Sequence, residues 1–235
     1  DGTTRFLRYG HKMSFGMIHR DTLNHYHYEE TVQCMARDIA QFNQQGCYSP
    51  QFFFVQNRGE VSPKEVAALL FHALRQQEVR HPLSHLSLEE KQTIQTFHER
   101  GRMRTIQEKE AMFLRDVKGK YSVKYEPELR IEPSPLSRNV TILPFGSVAD
   151  SDRRMRGYRT YLQTTSIHAP TEAMLIWADH LAHIGVTRLS SLGKMTETEA
   201  GWHHDGRLNL LDLVHFVDID EALLHMSDRF VSYRE

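Results

Sequence analysis

Asn43-Gln44-Gln45-Gly46-Cys47-Tyr48-Ser49-Pro50-Gln51 is a polar loop that runs straight into Phe52-Phe53-Phe54-Val55. A continuous apolar run of this kind is how a strand reads when both faces of its sheet are covered, as in a largely parallel sheet. Ahead of the loop, Val32, Met35, Ile39 and Phe42 recur at roughly helical spacing and predict a helix from about Glu29 to Phe42. Helix, loop and buried strand in that order predict an α/β fold. The thiol of Cys47 stands on the loop after a glycine that lets backbone come close to a ligand, which is where a nucleophile is presented. Cys34 falls inside the helical pattern and reads as packing.

Working outward, Met13 to Ile18 reads as a strand leaving the turn Tyr9-Gly10-His11-Lys12. Ser62-Pro63-Lys64-Glu65 combines a capping serine, a proline suited to the first helical position and a glutamate that completes a capping box. Ala67, Leu70, Phe71 and Leu74 supply that helix with an apolar stripe. Ser87-Leu88-Glu89-Glu90 repeats the box and predicts a second helix to about Arg100. Tyr121 to Tyr125 reads as a short strand, and the proline-rich stretch from Glu126 to Pro144 as an extended connection enclosing a strand near Val140 to Leu143. Tyr161 to Ile167 predicts a strand, Thr171 to Ile184 a helix closing at Gly185, and Val186 to Leu189 another strand. This succession implies right-handed crossovers in an α/β sheet.

A chain of 235 residues, 40% apolar and 25% charged, has the composition of a globular protein with ample core. A formal net charge of -1 gives no electrostatic reason to expect nucleic acid or an acidic membrane as a partner. Two cysteines cannot build a disulfide framework, and no apolar run approaches the roughly 20 residues that span a bilayer. No signal-peptide pattern is present, so the expected setting is reducing and cytoplasmic.

Three other stretches carry two readings each. His25-Tyr26-His27-Tyr28 puts two imidazoles at strand spacing, but no third or fourth ligand is near, so aromatics ahead of a helix are expected and no metal. Arg100 to Arg115 looks like a solvated helix face, with Arg102 and Arg104 alternatively placed to touch a coenzyme phosphate. Gly201-Trp202-His203-His204-Asp205-Gly206 is either a capped turn or a proton relay, in which His203 or His204 serves the thiol and Asp205 fixes the tautomer.

The segment from Asp38 through Gln51, followed by its apolar strand, resembles the nucleophile segment of the long-chain acyl-CoA reductases of the bioluminescence type, the LuxC family of the aldehyde dehydrogenase superfamily. Two further stretches match in the same order, Tyr9-Gly10-His11-Lys12-Met13-Ser14-Phe15 upstream and Gly201 to Val214 near the end. The resemblance implies an aldehyde dehydrogenase-like catalytic domain over residues 1–207, largely parallel in its sheet, and a C-terminal packing or oligomerisation segment over 208–235. It implies Cys47 as the catalytic thiol, with Gly10, His11, Lys12, Asn43, Tyr48 and Ser134 near substrate or coenzyme. Two departures are visible. Where many aldehyde dehydrogenases carry a general-base glutamate, this chain offers Arg8 or Tyr9, and the usual glutamate with a Phe-Gly-Pro turn is replaced by Glu132-Pro133-Ser134-Pro135-Leu136-Ser137-Arg138.

The implied reaction is NADPH-dependent reduction of a long-chain fatty acyl thioester, acyl-CoA or acyl-protein, to the aldehyde through a Cys47 acyl-enzyme. No glycine-rich phosphate loop is found, and the chain reads as the C-terminal half of a longer reductase whose coenzyme-binding part precedes it. Implied partners are that half, a second copy of the chain and an acyl-protein synthetase. Two other classes stay open, a Cys/His acyltransferase or thioesterase that needs no nucleotide, and a non-catalytic interaction domain. The apolar run Leu208 to Val217 is expected to pack, as a strand or short helix, against a neighbouring subunit.

Overall fold

The structure, a computed structural model, describes residues 6–7, 9–208 and 210–228. Its strands are β1 (Met13–Ile18), β2 (Pro50–Gln56), β3 (Met112–Arg115), β4 (Ser122–Tyr125), β5 (Asn139–Phe145), β6 (Leu162–His168) and β7 (Arg188–Ser191). Its α-helices are α1 (Tyr28–Ala40), α2 (Pro63–Arg80), α3 (Leu88–Gln107), α4 (Val148–Met155), α5 (Thr171–His183) and α6 (Glu221–Asp228). The strands form one sheet in the order β3-β4-β5-β2-β1-β6-β7, parallel throughout except for the β3–β4 pair.

The phenylalanine run lies at the centre of that sheet, where strand alternation sends Phe53 to one face and Phe52 and Phe54 to the other. All three are fully buried. Phe53 packs in a core with Val32, Met35 and Ile39 of α1 and Val66, Leu70 and Leu74 of α2. Phe52 and Phe54 join Phe15, Met155 of α4, and Trp177 and Leu181 of α5. Helices thus cover both faces, which is why β2 carries no polar side chain from Phe52 to Val55. These phenylalanines are core, so none of them walls an open pocket.

Both capping boxes form, Ser62 with Glu65 and Ser87 with Glu90. Several elements differ from expectation. Helix α3 runs on to Gln107, because Gly101 lets it lie against Phe113, whose ring would stand 2.6 Å from an added Cβ. Strand β3 follows directly, where a solvated helix face was expected. Pro144 is tolerated inside β5 because β4 pairs with β5 only as far as Ile142. Leu208, Leu210, Leu213, Phe216 and Val217 are exposed, so these apolar side chains do not join the core.

Candidate active site

Helix α1 stops at Ala40, two residues before its apolar pattern ends. Phe42, Asn43 and Gln44 then take left-handed φ values of 50°, 53° and 64°, which leaves Phe42 60% exposed instead of in the core. Leu136, Ser137 and Arg138 do the same at 64°, 52° and 66°. Such a conformation costs about 1–2 kcal/mol per non-glycine residue and persists only where surroundings over-determine it.

Here the two turns restrain each other. Gln44 Nε2 donates to the carbonyls of Pro50 at 2.7 Å and Asn139 at 3.1 Å, and Gln44 Oε1 accepts from the Asn139 amide at 3.1 Å. Arg138, 1% exposed, donates from Nη2 to Asn43 Oδ1 at 2.9 Å and from Nη1 to Glu78 Oε2 at 2.6 Å. Burial lowers the pKa of this guanidinium, while Glu78 pulls it back up. Gln45 Nε2 reaches Ser137 Oγ at 3.1 Å. Asn139 Nδ2 closes the second turn by donating to the carbonyls of Leu136 at 2.8 Å and Ser137 at 3.0 Å. Its Oδ1 accepts from Ser122 Oγ at 2.6 Å and lies 2.8 Å from His98 Nε2. An amide oxygen only accepts, so His98 carries its proton on Nε2.

Cys47 emerges from this locked turn half-buried, its Sγ without a hydrogen-bond partner among the described residues. Its carbonyl accepts from Ser14 Oγ of β1 at 2.7 Å, and Ser14 Oγ in turn accepts from the Thr164 amide of β6 at 3.2 Å. The amides of Cys47 and Tyr48 donate no hydrogen bond to any described residue, leaving two donors beside the thiol. Gly46 has a different use from the one expected. A Cβ there would stand 2.7 Å from the Tyr48 ring, so the glycine makes room for the tyrosine to fold back over the loop.

The 201–206 loop comes to the same end of the sheet. Tyr48 and Trp202 meet edge to face at 6.5 Å between ring centres, and His204 stands between Trp202 at 4.9 Å and Tyr9 at 4.7 Å. Asp205 adopts a φ of 54° and accepts from Gln163 Nε2 at 2.6 Å, with Lys12 Nζ 3.6 Å away. Tyr9, Lys12, Tyr48, His204 and Asp205 are therefore gathered around the loop. Gly10, His11 and His203 are exposed, and Arg8 lies outside the described residues.

Asn43 and Ser134 face inward. Asn43 donates to Ser84 Oγ at 2.8 Å as well as accepting from Arg138. The Ser134 amide donates to Gln51 Oε1 at 3.3 Å, and its hydroxyl donates to the Asn139 carbonyl. Glu132 is paired with Lys124 at 2.5 Å and Arg100 at 3.3 Å. The 132–138 segment, expected beside a coenzyme, thus has its polar groups engaged within the fold and does not fit the holding of a dinucleotide. Arg104 is likewise engaged, by Glu126 at 2.8 Å and Glu128 at 3.0 Å.

Arg188 was not singled out by the sequence. At the start of β7 it donates to the carbonyls of Met195 at 2.6 Å and Glu197 at 2.5 Å and lies 5.5 Å from the Trp202 ring centre. Burial lowers its pKa, and the charges of Tyr48, Asp38, Glu199 and Cys47 act in the opposite direction. Asp38 fixes the segment after β7 by accepting from the amides of Gly193 at 2.7 Å and Met195 at 3.0 Å. Among the described residues no group of three or more His, Cys, Asp or Glu is placed to hold a metal, and no helix is long and apolar enough to cross a membrane. His25 and His27 sit exposed just ahead of α1.

Known structures share this fold at low identity. The NAD-dependent aldehyde dehydrogenase of Burkholderia multivorans is 14% identical, with a TM-score of 0.55 over 77% of this chain and 35% of that one. The bifunctional proline utilization A protein is 13% identical, with a TM-score of 0.63 over 82% of this chain and 20% of that one. The Δ-pyrroline-5-carboxylate dehydrogenase of Mycobacterium tuberculosis is 12% identical, with a TM-score of 0.54 over 91% and 45%. The chain therefore has an aldehyde dehydrogenase-like fold and spans less than half the length of these structures. No curated protein matches it. A family model described as acyl-CoA reductase (LuxC) matches residues 1–216, and the chain belongs to that family.

Proposed function

We propose that this chain carries the nucleophile of a reductase that converts a long-chain fatty acyl thioester to the aldehyde. The observation that carries the reading is the Cys47 loop itself. Its backbone is locked by two interlocking left-handed turns, and among the described residues its thiol has no hydrogen-bond partner and the amides of Cys47 and Tyr48 donate to none.

On this reading the Cys47 thiolate attacks the carbonyl carbon of the donor thioester. The amides of Cys47 and Tyr48 supply hydrogen bonds to the developing oxyanion, an effect worth about 3–4 kcal/mol per donor in well-studied enzymes. The donor's thiolate leaves, taking up a proton, and the acyl group stays on Cys47 as a thioester. Reduction of that thioester to the aldehyde would need a hydride donor, and on the family reading NADPH would supply that chemistry when bound. No residue of this chain is assigned to hold it. Sulfur suits both halves of the reaction because a thiolate attacks readily and departs readily from a hemithioacetal.

A Cys/His acyltransferase needs an imidazole on the thiol. Cys47 Sγ has no hydrogen-bond partner among the described residues, His203 is exposed and His204 stands between two aromatic rings, so this geometry supports the reductase better. The family reading adds an acyl-CoA or acylated-protein donor, a cytoplasmic setting, and a second copy of the chain or an acyl-protein synthetase at the exposed 208–217 run.

The test is to supply the enzyme with a long-chain acyl-CoA and NADPH and to follow both products. The reading predicts aldehyde and oxidised nucleotide in equal amounts, and neither from Cys47→Ser. Free fatty acid without nucleotide consumption would instead assign a thioesterase.

A further inference from the structure

Strand β1 is buried along its whole length, and its one polar side chain is Ser14, at 0% exposure. A hydroxyl in that position has to find partners. Both neighbouring strands break register beside it. While β1 advances from Ser14 to Phe15, β2 advances from Pro50 to Phe52, and while β1 advances from Met13 to Phe15, β6 advances from Leu162 to Thr165. Each neighbour therefore carries an extra residue next to Ser14, and a bulge of this kind releases ladder groups and re-aims side chains.

The Ser14 hydroxyl links the β6 bulge to the nucleophile loop. Its Oγ accepts from the Thr164 amide at 3.2 Å and donates to the Cys47 carbonyl at 2.7 Å. Other hydroxyls buried in this sheet make no such link, since Thr141, Thr164, Thr165 and Ser166 have none of their side-chain oxygens hydrogen-bonded to a described residue.

The bond falls on a particular peptide. Cys47 and Tyr48 are the central pair of a turn closed by the Ser49 amide on the Gly46 carbonyl at 2.9 Å. The peptide joining such a pair is the one that turns over between the common turn types, and here it carries the Cys47 carbonyl and the Tyr48 amide. Because the unit is planar and trans, fixing the carbonyl fixes the N–H on its opposite side. Turned over, it would require a positive φ at Tyr48, and Tyr48 is not among the residues that have one. A hydrogen bond to the carbonyl also polarises the peptide and strengthens its N–H as a donor.

We propose that Ser14 is a positioning residue for acyl transfer. By holding the Cys47 carbonyl it aims the Tyr48 amide at the oxyanion that forms when the Cys47 thiolate attacks a thioester carbonyl. The proposal rests on the acyl-enzyme reading of Cys47, and Ser14 acts through the peptide and not on the substrate. An amide held in advance by a buried hydroxyl needs no reorganisation as the oxyanion forms.

The link is tested on protein labelled with carbonyl-13C cysteine and 15N tyrosine. Cysteine precedes tyrosine only at 47–48, so a carbonyl–amide correlation spectrum holds one cross-peak, from this peptide. Ser14→Ala should move it, and Ser14→Thr, which keeps the hydroxyl, should leave it close to its wild-type position. A cross-peak that Ser14→Ala leaves in place overturns the proposal.

The use of the link is read from two rates at Cys47. Transfer from a long-chain acyl-CoA, followed by intact mass, passes through an oxyanion, whereas alkylation by iodoacetamide is a displacement at saturated carbon and does not. Outright loss of an oxyanion donor costs on the order of a hundredfold, so Ser14→Ala should slow acylation about tenfold or more and leave alkylation near its wild-type rate. Ser14→Thr should recover most of the acylation rate, and Ser166→Ala, which removes a buried hydroxyl without a partner, should change neither rate. If the alanine variant does not fold, Ser14→Cys replaces it, a similar volume with only a weak donor. Equal loss in both rates, or the same loss in Ser14→Thr as in Ser14→Ala, would assign Ser14 to the fold of the loop alone and overturn the proposal. Full-rate acylation of Ser14→Ala would remove Ser14 and leave the acyl-enzyme reading standing. Wild type that takes no acyl group while its Cys47 is alkylated would sink that reading, and the positioning role with it.

Discussion

Gln44 and Asn139 hold each other by two hydrogen bonds, one in each direction and each 3.1 Å long, between the start of the nucleophile loop and the start of β5. Both are fully buried, and Gln44 also reaches Pro50 at the start of β2. Gln44→Ala leaves the Asn139 amide and two carbonyls without these partners, which should cost roughly 2–4 kcal/mol in urea unfolding. It should also slow alkylation of Cys47 under conditions where the variant is still folded. An unchanged alkylation rate would mean that the lock serves the fold alone.

Arg188 ties the segment after β7 together by donating to the carbonyls of Met195 and Glu197, and it lies against the Trp202 ring beside the Cys47 loop. Arg188→Met removes both hydrogen bonds, which should cost roughly 1–3 kcal/mol in urea unfolding and change the rate of iodoacetamide alkylation at Cys47. Arg188→Lys should restore part of the stability. Cys34 is no competitor in this assay, because burial raises its pKa and disfavours its thiolate.

Asp38 lies buried beneath the segment after β7, and burial raises its pKa to about 7, against the lowering effect of the Gly193 and Met195 amides. A carboxyl whose folded pKa is above its unfolded value of 3.8 binds more protons in the folded state than in the unfolded state between those two values. Its contribution to stability therefore falls as pH rises from about 4 to about 7 and is flat beyond. Asp38→Asn removes the titration, so wild type minus variant stability should decline across that window. A pH-independent difference would contradict the shift.

Gly16 is in β1 opposite Phe53 and Ser166. An added Cβ would meet the Phe53 ring at 2.3 Å and Ser166 Oγ at 2.8 Å. Phe53 is fully buried and has nowhere to retreat, so Gly16→Ala should destabilise by about 1–3 kcal/mol, read from the urea midpoint. A neutral substitution would show the central sheet to be looser than described.

The parallel sheet was legible in Phe52-Phe53-Phe54-Val55, since only a doubly covered strand tolerates such a run, and both capping boxes located their helices. The end of α1 was not legible. Phe42 continues the apolar spacing, and only the tertiary bonds from Arg138 and Asn139 make a left-handed turn tenable there. Strand β3 was hidden because its four residues, Met112 to Arg115, are too short a run to show a period and follow directly on basic residues interleaved with Glu108 and Glu110, which read as a solvated helix face. Helix α4 was missed as well, its eight residues being mostly polar or charged. Arg188 carried no local signal, because its place at the site is created by the pairing of β7 with β6 and by Trp202 arriving from later in the chain. The Gly201 to Gly206 loop was recognised as informative, but its two histidines separate, one held between rings and one exposed.

The central claim is that Cys47 forms an acyl-enzyme, and intact-protein mass spectrometry after incubation with a long-chain acyl-CoA at neutral pH tests it most directly. The account predicts one acyl adduct on the wild type, mapped to Cys47, absent from Cys47→Ser and released by added thiol. An adduct of the same yield on Cys47→Ser would contradict it, as would no adduct on a wild-type protein whose Cys47 is readily alkylated.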